Sequence, residues 1–119
     1  MPNKDEHLRK AQEDEEFVAS RNVAERSHLP WAVTALFYAG LHYVEAYFAA
    51  AYNFHSSDHR TRDSAIQRDV RMKKLYVDYN ELKNYSINAR YYMVRFNEQD
   101  IRDLQPHLDA IRTHVQTLL

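Results

Sequence analysis

The fold class follows from the segment WAVTALFYAGLHYVEAYFAAAY, residues 31–52. Its 22 residues are apolar almost all the way round a helix and include one charged side chain, that of Glu45. A helix of this kind is buried among other helices or spans a membrane. Glu45 and His42 lie near its middle, and no basic anchor flanks it. The pattern therefore predicts the buried central helix of a bundle rather than a membrane span.

The composition of the whole chain favours an all-α fold. The 119 residues suffice for one domain, residues 1–119, and include one glycine and three prolines, too few for many tight turns. Cysteine is absent, which excludes disulfides, thiol nucleophiles and thiolate zinc sites. Residues 1–16 are polar and acidic, so we expect a helix start and no signal peptide. These features suit a cytoplasmic protein.

Further helices are predicted on both sides of the central one. A polar, peripheral helix is expected over about 5–26, and Pro30 then starts the central helix. Ser57 or Asp58 is expected to cap a third helix that runs to about residue 71. A fourth helix is expected over about 72–96, with an apolar stripe at alternating four- and three-residue steps.

The last helix has the clearest periodicity in the chain. Its predicted buried positions are Ile101, Leu104, Leu108, Ile111, Val115 and Leu118. Pro106 interrupts this pattern, since a proline deep inside a helix costs about 3 kcal/mol. Either the helix starts near Asp103, which places Pro106 in the first turn, or it starts near Glu98 and kinks.

Glu45 needs a partner, because an unpaired buried carboxylate costs several kcal/mol. His42 lies one turn before it. If the third and fourth helices pack on the central one, His59, Arg62 and Arg90 complete one polar cluster. Two interpretations stay open: an ion-pair network that fixes helix register, or a site that binds phosphate or assists proton transfer.

A metal site is a further candidate at the same place. His42, Glu45, His55 and His59 offer imidazole and carboxylate ligands of the kind that zinc accepts. The neighbouring arginines disfavour a cation. The sequence therefore predicts no metal and no cofactor.

The only basic part of the chain is residues 58–96, with nine cationic and five acidic side chains. Tyr91 is one of several aromatic residues interleaved with these cations. Such a pattern can serve contacts to phosphates and bases, and it also fits a solvated helix face.

At these residues the chain resembles the HEPN superfamily of small helical-bundle proteins. The resemblance rests on WAVTALFYAGLHYVEAY (31–47), His59 with Arg62, YNEL (79–82) and SINARY (86–91). It implies an up-and-down bundle of four or five helices, usually homodimeric. It also implies association with RNA or a nucleotide. Many members are metal-independent ribonucleases, often toxins paired with a nucleotidyltransferase-like antitoxin.

The ribonuclease members carry an Arg, usually followed by a polar residue, and then a His, with four to six positions between the Arg and the His. Arg102 and His107 fit this spacing, with Asp103 in the polar place. They are the candidate catalytic pair, a cation for the phosphate and a base for the 2′-hydroxyl. The alternative is a non-catalytic helical interaction module with a structural polar cluster. The sequence does not choose between the central cluster and this pair.

Overall fold

The structure, a computed structural model, describes residues 2–21, 28–92 and 94–119. These residues form five α-helices and no strand, so the predicted all-α helical bundle is confirmed for them. The helices, in chain order, are α1 (Lys4–Ser20), α2 (Leu29–Tyr52), α3 (His59–Arg68), α4 (Tyr76–Tyr91) and α5 (Glu98–Leu118). A short 3-10 helix, Lys73–Leu75, leads into α4.

The central helix α2 packs against α1, α4 and α5. It is buried on nearly every side, as its composition predicts. Gly40 faces two neighbouring helices at close range: a methyl group there would lie 3.2 Å from Leu82 Cδ1 of α4 and 3.4 Å from Ile111 Cδ1 of α5. The single glycine therefore lets two helices pack closely on α2 at the same level.

Local capping chemistry starts three of the helices. Asn3 accepts a hydrogen bond from the Glu6 amide at the start of α1, and Asp58 accepts one from the Thr61 amide at the start of α3. Asn97 and Asp100 bond to each other's amides in a capping box that begins α5. These contacts satisfy N–H groups that have no partner within the helix.

The last helix starts at the earlier of the two predicted positions. α5 begins at Glu98 and includes Pro106. The proline is exposed, so the Arg102 carbonyl, which loses its intrahelical donor, can bond to water instead. The predicted apolar stripe is buried from Ile101 to Val115, with Leu118 partly buried beside it.

Other predicted boundaries were too wide. α1 ends at Ser20 rather than near residue 26, and residues 22–27 lie outside the described ranges. α3 ends at Arg68 rather than near residue 71, because the Asp69 carboxylate accepts the Arg71 and Met72 amides and turns the chain. α4 spans Tyr76–Tyr91 rather than 72–96, and Met93 of its predicted stripe lies outside the described residues.

The described helices show no membrane-spanning segment. None of them combines the length and apolarity that crossing a bilayer requires.

Candidate functional site

Glu45 is fully buried in the middle of α2, and it has the partner that its burial requires. Arg62 of α3 donates from Nε to Oε1 at 2.8 Å. Ser56, in the loop between α2 and α3, donates its amide to Oε2 at 3.2 Å and its hydroxyl to Oε1. Glu45 therefore ties α3 and the preceding loop to the central helix.

Arg62 is as well satisfied as Glu45. Its remaining nitrogens donate to the Tyr79 hydroxyl and the His59 ring, both at 3.4 Å, and to the Ser56 carbonyl at 3.5 Å. Burial alone would lower the pKa of Arg62, but Tyr79 and Glu45 outweigh it and raise the pKa. Burial raises the pKa of Tyr79 to about 12, so its hydroxyl stays protonated. We call Glu45, Ser56, Arg62 and Tyr79 the Glu45 cluster.

Three histidines adjoin this cluster, and we call His7, His42 and His55 the histidine group. His7, from the first turns of α1, is 2% exposed. Its Nδ1 lies 2.9 Å from His42 Nδ1, so one of these nitrogens donates and the other accepts. The His7 ring also stacks on that of His55, with centroids 5.3 Å apart. Burial lowers the pKa of His7, and burial together with His7 lowers that of His42 to about 4.

The histidine group leaves two buried nitrogen atoms without a hydrogen-bond partner, His7 Nε2 and His55 Nδ1. His55 Nδ1 lies 3.5 Å from Glu45 Oε2, which is an electrostatic contact if His55 is protonated. His7, Glu45 and His55 each offer a possible ligand atom, and these three atoms lie within 4.8 Å of one another. Buried polar atoms without a partner are rare and point to strain or to a missing ligand.

A second feature lies along α2, α3 and α4. Arg90 donates to the Tyr38 hydroxyl at 2.9 Å and to the Ser86 carbonyl at 3.3 Å. Its guanidinium carbon lies 5.6 Å from the Tyr38 ring centroid and 5.3 Å from that of Tyr91. Within the described residues, no carboxylate forms an ion pair with Arg90. Its charge is therefore available to a ligand.

His59 belongs to the same surface. Its ring lies 5.7 Å from that of Phe37, over which the Arg90 guanidinium also lies, at 6.0 Å. Burial, Arg62 and Arg90 lower the pKa of His59. We call Tyr38, His59, Arg90 and Tyr91 the cationic-aromatic edge.

The structure thus divides the predicted polar cluster. Glu45 and Arg62 are in direct contact, as expected, and His59 touches Arg62. His42 faces His7 instead, and Arg90 bonds to Tyr38.

Arg102 and His107 are not brought together within one chain. Both lie on α5, five residues apart, so they point about 140° away from each other round the helix axis. Arg102 is exposed and bonds to Gln99, whereas His107 donates to Asp78 of α4 at 2.9 Å. Each side chain has a separate local partner.

Sequence reasoning missed three residues of these sites: Ser56, Tyr79 and His7. We expected the first helix to be peripheral, yet His7, Ala11 and Val18 are buried against α2. The signal was present in the spacing, because steps of four and seven residues return to one helix face. A histidine in line with alanine and valine on such a face is a candidate for burial.

Comparison with known proteins adds no family to this description. No model of a known protein family, no curated protein and no solved structure matches the chain. The fold of the described residues defines the class as a small all-α helical bundle, and any function has to be argued from its surfaces.

Proposed function

We propose that this chain is a HEPN-like, cytoplasmic protein that binds RNA or a nucleotide through the cationic-aromatic edge. The observation that carries the proposal is the environment of Arg90. The guanidinium lies against two tyrosine rings and forms no ion pair with a carboxylate of the described residues. Tyr91 is 70% exposed, so one face of its ring is open to solvent.

These groups suit the two parts of a nucleotide. A guanidinium binds phosphate oxygens with charge-assisted hydrogen bonds. An exposed tyrosine ring offers a stacking surface to any base, which contributes about 1–3 kcal/mol per base. His59 supplies a further imidazole at the same surface. The basic excess of residues 58–96 favours approach of a polyanion.

A metal-independent ribonuclease of toxin-antitoxin type is the catalytic form of this proposal. Arg102 and His107 would supply its cation and base, and a nucleotidyltransferase-like antitoxin would be its partner. Because the two side chains diverge on α5, a joint role requires that a homodimer bring one from each copy together. Cleavage of RNA in EDTA, abolished in His107→Ala, is the expected result for this form.

Binding is tested by fluorescence anisotropy with a labelled single-stranded RNA over a range of salt concentrations, with EDTA present throughout. We expect affinity to fall steeply with salt, since phosphate contacts release counterions. Arg90→Ala should weaken binding and reduce the salt slope by about one, and Tyr91→Ala should weaken binding with little change in slope. Arg68→Ala, which removes an exposed arginine of α3, is the matched control. Equal affinities for the Arg90 and Arg68 variants would contradict the proposed surface.

The alternative function is a non-catalytic module that binds another protein. Its supporting observation is Trp31, which is 65% exposed at the start of α2. In that case the Glu45 cluster is purely structural and fixes the register of α3. Absence of RNA binding, together with a salt-insensitive protein complex that Trp31→Ala disrupts, is the result that this alternative predicts.

A further inference from the structure

We propose that His7, His55 and Glu45 form a binding site for a zinc-type divalent cation, and that His42 orients His7 within it. This site is separate from the cationic-aromatic edge and does not depend on RNA or nucleotide binding. Three elements supply its ligands: His7 comes from α1, Glu45 from α2 and His55 from the loop that precedes α3.

The chemistry of the three side chains fits zinc. Two histidines and one glutamate make up a ligand set found in catalytic zinc sites, where a water molecule completes the tetrahedron. Zinc bonds of about 2.1 Å place tetrahedral ligands about 3.4 Å apart. The three ligand atoms lie within 4.8 Å of one another, so closure by at most about 1.4 Å per pair forms the site.

Two unpartnered buried atoms point to the missing ligand. His7 is almost completely buried, yet its Nε2 has no hydrogen-bond partner, and neither has His55 Nδ1. Leaving buried polar groups unpaired costs about 1–3 kcal/mol each. A cation that accepts both lone pairs removes this cost at the same time.

His42 explains how His7 presents the required lone pair. When His7 donates from Nδ1 to His42 Nδ1, at 2.9 Å, its Nε2 carries a lone pair and can bind a metal. Metal-binding histidines usually donate their second ring nitrogen in this way, which fixes both tautomer and ring orientation. A surface cavity of about 300 Å³ lined by His7 and His42 gives access to this side of the group.

Arg62 does not block the site, although its charge disfavours a nearby cation. Its Nε contacts Glu45 Oε1, whereas His55 Nδ1 lies beside Oε2. The two oxygens of the carboxylate therefore have different neighbours. A cation at Oε2 occupies the opposite oxygen from the guanidinium and shares the negative charge with it.

The test is a titration of the full, untagged chain with zinc chloride by isothermal calorimetry, together with the zinc content after dialysis. We expect one zinc per chain. His7→Ala and His55→Ala should each weaken zinc binding by at least about 100-fold, and His42→Ala by about 10–100-fold. His107→Ala should leave zinc affinity unchanged. It is a matched control because the His107 side chain is 31% exposed, that of His55 is 32% exposed, and each lies beside a carboxylate.

Circular dichroism and urea unfolding in EDTA establish that each variant is folded. If His7→Ala does not fold, His55→Ala decides the question, because its side chain lies on a loop and is only half-buried. The visible spectrum of the cobalt form gives a second measurement, with bands of a four-coordinate site expected in wild type and lost in His55→Ala. Less than stoichiometric zinc in wild type, or unchanged affinity in folded His55→Ala, would overturn the proposal.

Discussion

Glu45 and Asp69 are both buried carboxylates, but their surroundings differ. Glu45 lies on α2, and Asp69 follows α3 and contacts α2 through tyrosine hydroxyls. Asp69 accepts hydrogen bonds from the Tyr47 and Tyr52 hydroxyls and from the Arg71 and Met72 amides. Burial alone would raise its pKa, but the bonds from Tyr52 and the Arg71 amide hold the pKa below its usual value. Among the described residues, no buried side-chain atom of Asp69 or of these tyrosines lacks a hydrogen-bond partner.

The surroundings of Glu45 retain spare capacity. Arg62 and the Ser56 hydroxyl donate to Oε1 and the Ser56 amide donates to Oε2, yet the neighbouring His7 and His55 keep two buried nitrogens without a partner. Hydrogen-bond satisfaction therefore distinguishes a structural polar cluster from a candidate ligand site in one small protein. A cluster whose donors and acceptors match fixes the fold, and a cluster with spare buried lone pairs has capacity for a ligand.

The largest effect expected is from breaking the Glu45–Arg62 pair. Arg62→Met leaves a fully buried carboxylate without its cation, which should lower the free energy of unfolding by about 3–5 kcal/mol. Urea unfolding in EDTA measures this loss. The double variant Glu45→Gln/Arg62→Met should recover part of this loss, because no buried charge remains.

Arg21→Met, which removes an ion pair to Glu98 nearer the surface, is the control and should cost about 1 kcal/mol. Equal losses in the two single variants would contradict a buried structural pair.

The Asp69 side of the comparison should give a smaller loss. Asp69→Asn keeps the shape of the side chain but removes its charge-assisted hydrogen bonds. It also places an NH₂ group where a carboxylate oxygen accepted bonds from hydroxyls and amides. We expect a loss of about 2 kcal/mol in the free energy of unfolding, measured by urea in the same buffer. Asp103→Asn, at an exposed position of α5, should change stability little. If Asp69→Asn were as stable as Asp103→Asn, the Asp69 turn would contribute nothing to the fold.

The smallest effect is expected at a third carboxylate, that of Asp14. Asp14 of α1 has a buried oxygen without a partner, and burial raises its pKa to about 6. As pH rises from about 4 to about 6, Asp14 ionises in the unfolded state but stays protonated in the folded state. The free energy of unfolding therefore falls over this range, and the full cost of ionising Asp14 is present above about pH 6. Asp14→Asn should increase stability by about 1 kcal/mol near pH 8, with the gain vanishing by about pH 4.

Thermal or urea unfolding across this pH range checks the Asp14 prediction. Glu16→Gln, at a nearby exposed position of α1, is the control and should show no such trend. A gain for Asp14→Asn that is the same at both ends of the range would mean that ionisation of Asp14 carries no cost.

Most of the fold could be predicted because it depends on local patterns. The apolar composition of residues 31–52 indicated the central helix, and the spacing from Ile101 to Val115 indicated the buried face of α5. The predicted cap Asp58 is confirmed. The end of α3 was less predictable, because the Asp69 carboxylate that turns the chain there is held by the Tyr47 and Tyr52 hydroxyls of α2 as well as by the local amides.

The candidate site was only half predictable for the same reason. Burial chemistry required a partner for Glu45, and Arg62 supplies it from a neighbouring helix. His7 lies 35 residues before its contact His42, on a helix whose composition indicates a solvent-exposed position. Arg102 and His107 stay a prediction, since on one continuous helix they point about 140° apart and a joint role requires a second copy of the chain.

The most direct test is to measure how zinc changes the free energy of unfolding in wild type, in a variant near Asp69 and in a variant of the histidine group. At a zinc concentration about 100 times the dissociation constant, wild type should gain about 2.7 kcal/mol over the EDTA form. Tyr52→Phe, which removes a hydroxyl donor to Asp69 and leaves the histidine group intact, should gain as much, and His7→Ala should gain at most about 0.4 kcal/mol. No gain in wild type, or the same gain in all three proteins, would contradict the claim that the spare histidine nitrogens beside Glu45 bind a metal ion.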